Sequence, residues 1–336
     1  MSARIRAAFS HLDQLSDGRG LFEHAEGAIR RVAHGYCTDD NARLLVVCTR
    51  DEDIGRPRRL GRSALRFVLA AQSPTGHIRN RMDETGRWTD TPGTDDCWGR
   101  AVWALGSTAA SHTDPAVRAA ALRGFAKSSV QRSRWPRAMA FAALGAADLV
   151  IAGKGDGPTR RLLTDALVTI GDDGCAAWPW PEPRLRYANA ALAEAVIAAG
   201  QALQDQATLQ RGLTMLSWLL AVETRDGHLS PTGVDGRGPG DLGPQFDQQS
   251  IEPAAIADAC WRAYVATREG SWLHGVEAAQ RWFDGDNDSG ATMHDPVSGG
   301  GYDGLERDGV NTNQGAESTL ALVSTLQRAR SLVPST

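Results

Sequence analysis

Six stretches of this chain are apolar on nearly every side, and each alternates with a stretch that is apolar on one face only. The first kind covers Thr38 to Thr49, Asp95 to Ala109, Pro136 to Ile151, Tyr187 to Leu203, Ser250 to Thr267 and Asn313 to Arg328. The second is clearest at Leu60, Ala64, Phe67, Val68 and Ala71, which recur at helical spacing opposite Arg59, Arg62 and Arg66. It returns at Leu209, Leu213, Leu216 and Leu220, again at Trp272, Val276, Ala279 and Phe283, and more weakly at Ile5 to Leu15, Pro115 to Ser128 and Pro158 to Ile170. A helix with almost no polar face must be surrounded by others. Six such helices interleaved with six half-buried ones close most simply into an all-α (α/α)6 toroid, a six-hairpin barrel with the apolar helices inside. An open stack would need polar end caps, which the sequence lacks. The 336 residues, read as one toroid domain over 1–336, exceed the usual size of a single core, roughly 250–300 residues, as a repeat architecture permits. In such a ring the inner helices run the same way, so the long loops before them share one rim.

Charge and composition exclude several partners. A formal charge of −4, with no basic block interleaved with aromatics, gives no footprint for nucleic acid. No run reaches the roughly 18 apolar residues of a membrane span. The N-terminus lacks the continuous apolar stretch and cleavage site of a secretory signal, so a cytoplasmic location is expected. Cys37, Cys48, Cys97, Cys175 and Cys260 are odd in number and widely spaced, which argues against a disulfide framework or a zinc site. No metal and no cofactor is expected.

The rim segments carry polar and aromatic residues. Thr38, Asp39, Asp40 and Arg43 open the first inner helix, after Tyr36, and Thr94, Asp95, Asp96 and Arg100 echo them at the second, beside Trp98. The fourth is preceded by Trp178, Trp180, Glu182, Tyr187 and Asn189, the fifth by Asp247, Gln248, Gln249 and Glu252, and the sixth by Tyr302, Asp303, Asn313 and Glu317. Sugars offer hydroxyls to carboxylates, amides and guanidiniums, and C–H faces to Trp and Tyr, and cleaving a glycosidic bond needs one protonated and one ionised carboxyl. A carbohydrate substrate is therefore expected at this rim. Helix N-termini favour anions, so Asp39, Asp40, Asp95 and Asp96 are expected to stay ionised. Crowding should raise the proton affinity of at least one carboxylate.

Other constellations are weaker. Asp284, Asp286, Asp288 and Asp295 match four positions of a calcium loop, but Ser289 stands where the turn needs glycine. His34, His228 and His294 fall in loops before helices, as polar contacts or as bases of an epimerase. The glycine-rich run Gly236 to Gly243 has no Walker lysine. Glu194 lies mid-helix among alanines and reads as structural or surface.

Taken together, H-G-Y-C-T-D-D-N-A-R, W-P-W-P-E, F-D-Q-Q-S-I-E and G-V-N-T-N-Q-G-A-E-S-T-L resemble the six-hairpin glycosidase superfamily, within it a group of bacterial toroids associated with glycosyltransferases. The resemblance spans about Val32 to Leu320. It implies a glycan-active basin, an inverting hydrolase, a possible glycosyltransferase partner, and catalytic roles for Asp39 or Asp40 with Glu252 or Glu317. Tyr36, Arg43, Asp95, Asp96, Trp98, Trp178, Trp180, Glu182, Tyr187, Asn189, Gln248, Gln249, Tyr302 and Asn313 are the substrate-binding candidates. Two positions depart from the group's pattern. Ala188 stands where relatives carry Asp, with Ala191 in place of their Arg, and Gly301 stands where they carry Cys. Alternatives to hydrolysis are a non-catalytic glycan-binding toroid, a phosphorylase holding phosphate on Arg43, Arg100 and Arg186, and a sugar epimerase with a histidine pair.

Overall fold

The computed structural model describes residues 3–51, 55–172 and 174–332. Among them twelve α-helices form: α1 Ala3–Gln14, α2 Thr38–Arg50, α3 Gly55–Ala71, α4 Asp96–Ser111, α5 Pro115–Ser128, α6 Pro136–Ile151, α7 Gly157–Ile170, α8 Asn189–Leu203, α9 Gln206–Val222, α10 Ile251–Thr267, α11 Leu273–Phe283 and α12 Ala316–Arg330. The even-numbered helices match the six apolar segments, each within a few residues at its ends. They pack in the order α2, α4, α6, α8, α10, α12 and back to α2. From α2 to α10, each inner helix is covered by the outer helix that follows it, and α1 covers α12. The first helix thus closes the ring. No described helix is long and apolar enough to cross a membrane.

How the helices begin separates structural aspartates from available ones. Asp114, Asp156 and Asp205 cap the outer helices α5, α7 and α9, each accepting a backbone N–H of the first turn. At the inner helix α2 the cap is the Cys37 sulfur, which accepts the Asp40 N–H, and not Thr38, whose hydroxyl instead donates to the Arg79 carbonyl. Asp95 precedes α4 without capping it through its side chain. The rim aspartates are therefore not consumed as caps. Small residues bring the inner helices close: a Cβ at Gly106 of α4 would lie 2.4 Å from the Gly145 carbonyl oxygen of α6. That contact requires glycine on backbone grounds.

Short strands, which helical periodicity does not reveal, stitch the rim loops. Tyr36–Cys37 (β3) pairs with Arg81–Met82 (β4), and Gln248–Gln249 (β7) joins Gly304–Glu306 (β8) and Gly309–Asn311 (β9) in a three-stranded sheet, with Gln249 opposite Gly304. Two hairpins, Ala25–Glu26 with Ile29–Arg30 (β1, β2) and Thr224–Arg225 with His228–Leu229 (β5, β6), complete the set. The loop ahead of α2 is held in this way against the loop ahead of α4, and the loop ahead of α10 against the loop ahead of α12.

The opposite mouth of the barrel carries a buried ionic network. Asp258 of α10 binds Arg50 of α2 at 2.9 Å and Arg328 of α12 at 2.5 Å, and accepts the Ser324 hydroxyl at 2.9 Å. Arg262 of α10 binds Asp148 of α6 at 2.9 Å and Glu194 of α8 at 3.4 Å, and Ser107 of α4 donates to Asp148 at 2.6 Å. All six inner helices contribute a side chain. Glu194 is thus a buried member of a charge ring and not a surface residue. Burial raises its pKa to about 7 against the pull of Arg262. Between this mouth and the N-terminal rim the lumen is apolar, lined by Val46, Val47, Phe141, Leu144, Ala191 and Leu320.

Candidate active site

A cavity of about 380 Å³ opens at the N-terminal rim over the seam where α12 meets α2. Asp39 and Asp40 enter it from the first turn of α2, Glu317 from the first turn of α12, and Asp303, Gln249 and Ser250 from the loops joined by the three-stranded sheet. Arg43 sits one turn after Asp40, a spacing that puts both on one helix face. Its Nη1 donates to Asp40 Oδ1 at 2.9 Å and lies 2.6 Å from Glu317 Oε2. One guanidinium nitrogen therefore bridges the two carboxylates. Their nearest oxygens can be no farther apart than the sum of those two contacts.

The two carboxyls titrate in opposite directions. Burial raises the Asp40 pKa to about 7; the nearby Glu317 and Glu23 carboxylates add to the rise, and Arg43 opposes it. At Glu317 burial also favours the proton, but Arg43 and Arg100 outweigh it and hold the carboxyl below its usual range. Its side chain keeps 40% of its surface open to the cavity. Asp96 is raised by burial and by Asp39 against the pull of Arg100. The helix N-termini are thus too weak to keep Asp40 and Asp96 at ordinary carboxylate values, because desolvation dominates. Asp39 has one buried oxygen without a hydrogen-bond partner, 3.6 Å from Arg100 Nε.

Glu23, Cys37 and Asp40 bring one ligand atom each within 4.8 Å of one another, the described residues' one grouping of metal-ligand type. Their chemistry fits hydrogen bonding better than a cation. Burial and the Asp40 charge hold the Cys37 thiol well above its ordinary pKa, and it donates to Asp40 at 3.0 Å. Glu23 is taken by Arg81 and Asp40 by Arg43.

Solved structures share this architecture. A sugar epimerase from a ruminal bacterium aligns with a TM-score of 0.71 at 13% identity, over 98% of this chain and 98% of its own. The chain shares the (α/α)6 toroid fold of these structures. A cellobiose 2-epimerase from Bacillus thermoamylovorans aligns at 0.70 and 12% identity, over 96% of this chain and 97% of its own. An alpha-1,6-mannanase of Salegentibacter, solved as an inactive variant with two consecutive aspartates changed to alanine and in complex with alpha-1,6-mannotetrose, aligns at 0.68 and 11% identity, over 99% of this chain and 100% of its own. No family model and no curated protein matches the chain.

Within this six-hairpin fold the sequence-derived candidates divide. Asp39, Asp40, Arg43, Gln249 and Glu317 line the cavity. Glu252 does not: it is buried, and its oxygens accept the backbone N–H groups of Ala188 at 2.5 Å and Asn189 at 3.3 Å, so it caps α8. Burial and Glu223 raise its pKa to about 8. Glu252→Gln resembles the protonated form and is expected to reduce thermal stability by about 1 kcal/mol while turnover stays within a few-fold of the parent. Melting curves and initial rates on the same preparation check this.

Several aromatic and amide candidates are packing residues. Trp98 is fully buried and donates to the Ser128 carbonyl at 3.0 Å, Trp180 is buried against Trp218, and Tyr36 stacks on Phe22 and donates to Asp17 at 2.7 Å. Gln248 is buried between Trp282 and Asp288. Trp178 packs edge-on against Trp218 and donates to the Glu182 carbonyl at 2.8 Å. Asn189 accepts the Arg186 N–H at 2.8 Å, Asn313 accepts that of Gly27 at 3.0 Å, and Tyr302 is half-buried with its carbonyl bonded to Ser250.

On the far side of the rim Arg137 joins Glu182 at 2.7 Å and lies over the exposed Tyr187 ring at 5.3 Å. Exposed Trp135 donates to Asp95 at 3.0 Å. Sequence reasoning passed over Trp135, and also Glu23 and His24, which line or edge the cavity from an irregular loop with no periodic signal. His34 does not enter the cavity but touches His24, with 3.2 Å between their Nδ1 atoms. His228 pairs with Asp288, and His294 lies 3.7 Å from Asp284. The calcium-loop aspartates are engaged separately, Asp284 by Arg4 and Asp286 by Arg281.

The two departures have physical consequences. Ala188 has φ of 48°, a left-handed conformation that aspartate tolerates better than alanine, and Glu252 secures its N–H. At Gly301 a Cβ would lie 2.5 Å from the Ser318 carbonyl oxygen. A cysteine there would require α12 to move outward.

Proposed function

We propose that the chain is a glycoside hydrolase whose general acid is Asp40. The observation that carries this is the Asp40–Arg43–Glu317 bridge in an open cavity, with one carboxyl holding its proton to about 7 and the other kept ionised. That pairing of environments is the requirement for glycosidic cleavage. Asp40 donates its proton to the leaving oxygen as the glycosidic C–O bond breaks, Glu317 bonds to the anomeric carbon, and water, giving a proton back to Asp40, then displaces Glu317 to release the sugar. Asp39 and Asp303 line the same cavity and can accept sugar hydroxyls. The mannanase variant with two changed aspartates offers a parallel to the consecutive pair Asp39 and Asp40.

The bridge also bears on stereochemistry. Contacts of 2.9 and 2.6 Å to one nitrogen hold the nearest oxygens of the pair close together, whereas the carboxyl groups of an inverting pair stand roughly 6.5–9.5 Å apart to admit a water. Retention, at about 5–5.5 Å, suits this pair better than the inversion implied by resemblance. Following the anomer first released by proton NMR checks the assignment, and an inverted first product rules out Glu317 as nucleophile.

With Asp40 as acid, kcat/KM is expected to fall as pH rises through about 7, because the proton to be donated is then lost. A pH–rate profile flat from 6 to about 9 would contradict the assignment. A second reading, sugar epimerisation, is favoured by His24 at the cavity edge in contact with His34. Deuterium from solvent appearing on carbon of a free sugar, with no bond cleavage, would select it.

A further inference from the structure

The two oxygens of Asp40 have different neighbours. Oδ1 accepts from Arg43 Nη1 at 2.9 Å, and Oδ2 accepts from the Cys37 thiol at 3.0 Å. A guanidinium carries donors only, so a proton placed on Oδ1 would confront another N–H. The proton that Asp40 holds therefore belongs on Oδ2. Its neighbour there is a thiol, which can donate through its hydrogen or accept through its sulfur.

That sulfur is fixed from several directions. Cys37 ends β3 opposite Arg81 of β4, and its carbonyl accepts the Asn41 side-chain amide at 2.8 Å. The sulfur itself accepts the Asp40 N–H at 3.4 Å. Cys37 is 3% exposed, and burial together with the Asp40 charge keeps the thiol protonated at neutral pH. It is a hydrogen-bonding group and not a nucleophile. The other charges facing the pair are Asp39 and Arg43 of α2, Glu317 of α12, Arg100 of α4 beside Asp39, and Glu23 with Arg81 from the rim loops. Among the described residues only Cys37 donates to Oδ2.

We propose that Cys37 is a positioning residue for the acid step, its sulfur facing the Oδ2–H of neutral Asp40 as an acceptor and its S–H donating to Oδ2 once that proton has passed to the leaving oxygen. The Oδ2–H bond breaks and the O–H bond of the leaving group forms, while the S–H bond turns without breaking. This rests on Asp40 as general acid. The S–H donor favours ionised Asp40, against the burial that favours the neutral form.

Infrared spectroscopy of the full chain reads both groups without a substrate. Subtracting Asp40→Asn isolates the carbonyl band of protonated Asp40, and subtracting Cys37→Ser isolates the S–H stretch. The carbonyl band is expected to vanish with a midpoint at about pH 7 in the parent and about one unit higher in Cys37→Ala. In Cys37→Ser, whose hydroxyl still donates and still caps α2, the midpoint should be no higher than in the parent. The S–H band should move to lower frequency across the parent midpoint and stay still in Asp40→Asn. A carbonyl midpoint unchanged in both Cys37 variants, or an S–H band indifferent to pH, overturns the proposal even in an active enzyme. Lost stability in Cys37→Ala with an unmoved midpoint also overturns it, leaving Cys37 a helix cap alone. Bands that move as expected in a protein that cleaves no glycoside would instead retract the general-acid reading, and the acid step with it.

Discussion

Asp40→Asn is expected to lower kcat/KM by on the order of 10²- to 10⁴-fold while the protein stays folded. The amide keeps the shape of the carboxyl and can still accept from Arg43, but it has no proton to give. The sign of the stability change is specific as well. The pKa of Asp40 is raised in the fold to about 7, so the native state holds the proton more tightly than the unfolded chain. Ionising it therefore removes stability progressively from about pH 4, near the unfolded pKa, to about pH 7. The Asn variant escapes this loss. It should match the parent in acid and exceed it above neutrality, as urea unfolding at several pH values would reveal. A variant that is both inactive and less stable at pH 8 would point to a structural role for Asp40.

The second large effect lies at the opposite mouth. Asp258→Ala leaves Arg50 and Arg328 facing each other in a buried site without their shared carboxylate. Breaking a buried ionic network by removing one partner is expected to destabilise by about 3–5 kcal/mol. Burial alone would raise the Asp258 pKa, but Arg50 and Arg328 outweigh it and lower it to about 2. A carboxyl depressed in the fold contributes stability above its unfolded pKa of about 3.9 and loses it as pH falls through about 2. The parent should thus lose stability across that acid window more steeply than Asp258→Ala. Equal acid unfolding of the two proteins would show that the network carries little net stability.

Much of the toroid was legible because burial writes itself into composition. Helices α6 and α8 are mostly alanine with other apolar residues and glycine, as packing on every side demands, and that pattern needs no tertiary information. The direction of the inner helices followed from alternation, and with it the common rim. Which rim residue faces inward did not follow. Glu252 and Glu317 both stand in the first turn of an inner helix, yet the first turns back to cap α8 while the second meets Arg43 across the α12–α2 seam. That difference depends on loop paths set by the short strands of the rim, which are two or three residues long and leave no periodic trace. Trp98 and Trp180 were misplaced for a related reason: an aromatic residue beside a carboxylate reads alike whether it lines a basin or fills a core. Glu23 gave no signal because its significance comes from what surrounds it in space.

The hydrolytic reading of the rim is tested most directly by following a panel of manno-, gluco-, galacto- and arabino-oligosaccharides by proton NMR in D₂O, with the parent protein and Asp40→Asn side by side. Asp40 as general acid predicts new reducing-end signals from at least one oligosaccharide with the parent, their near-complete loss in Asp40→Asn, and no deuterium on carbon. Intact linkages across the whole panel, or deuterium incorporated next to the anomeric carbon of an uncleaved sugar, would contradict it.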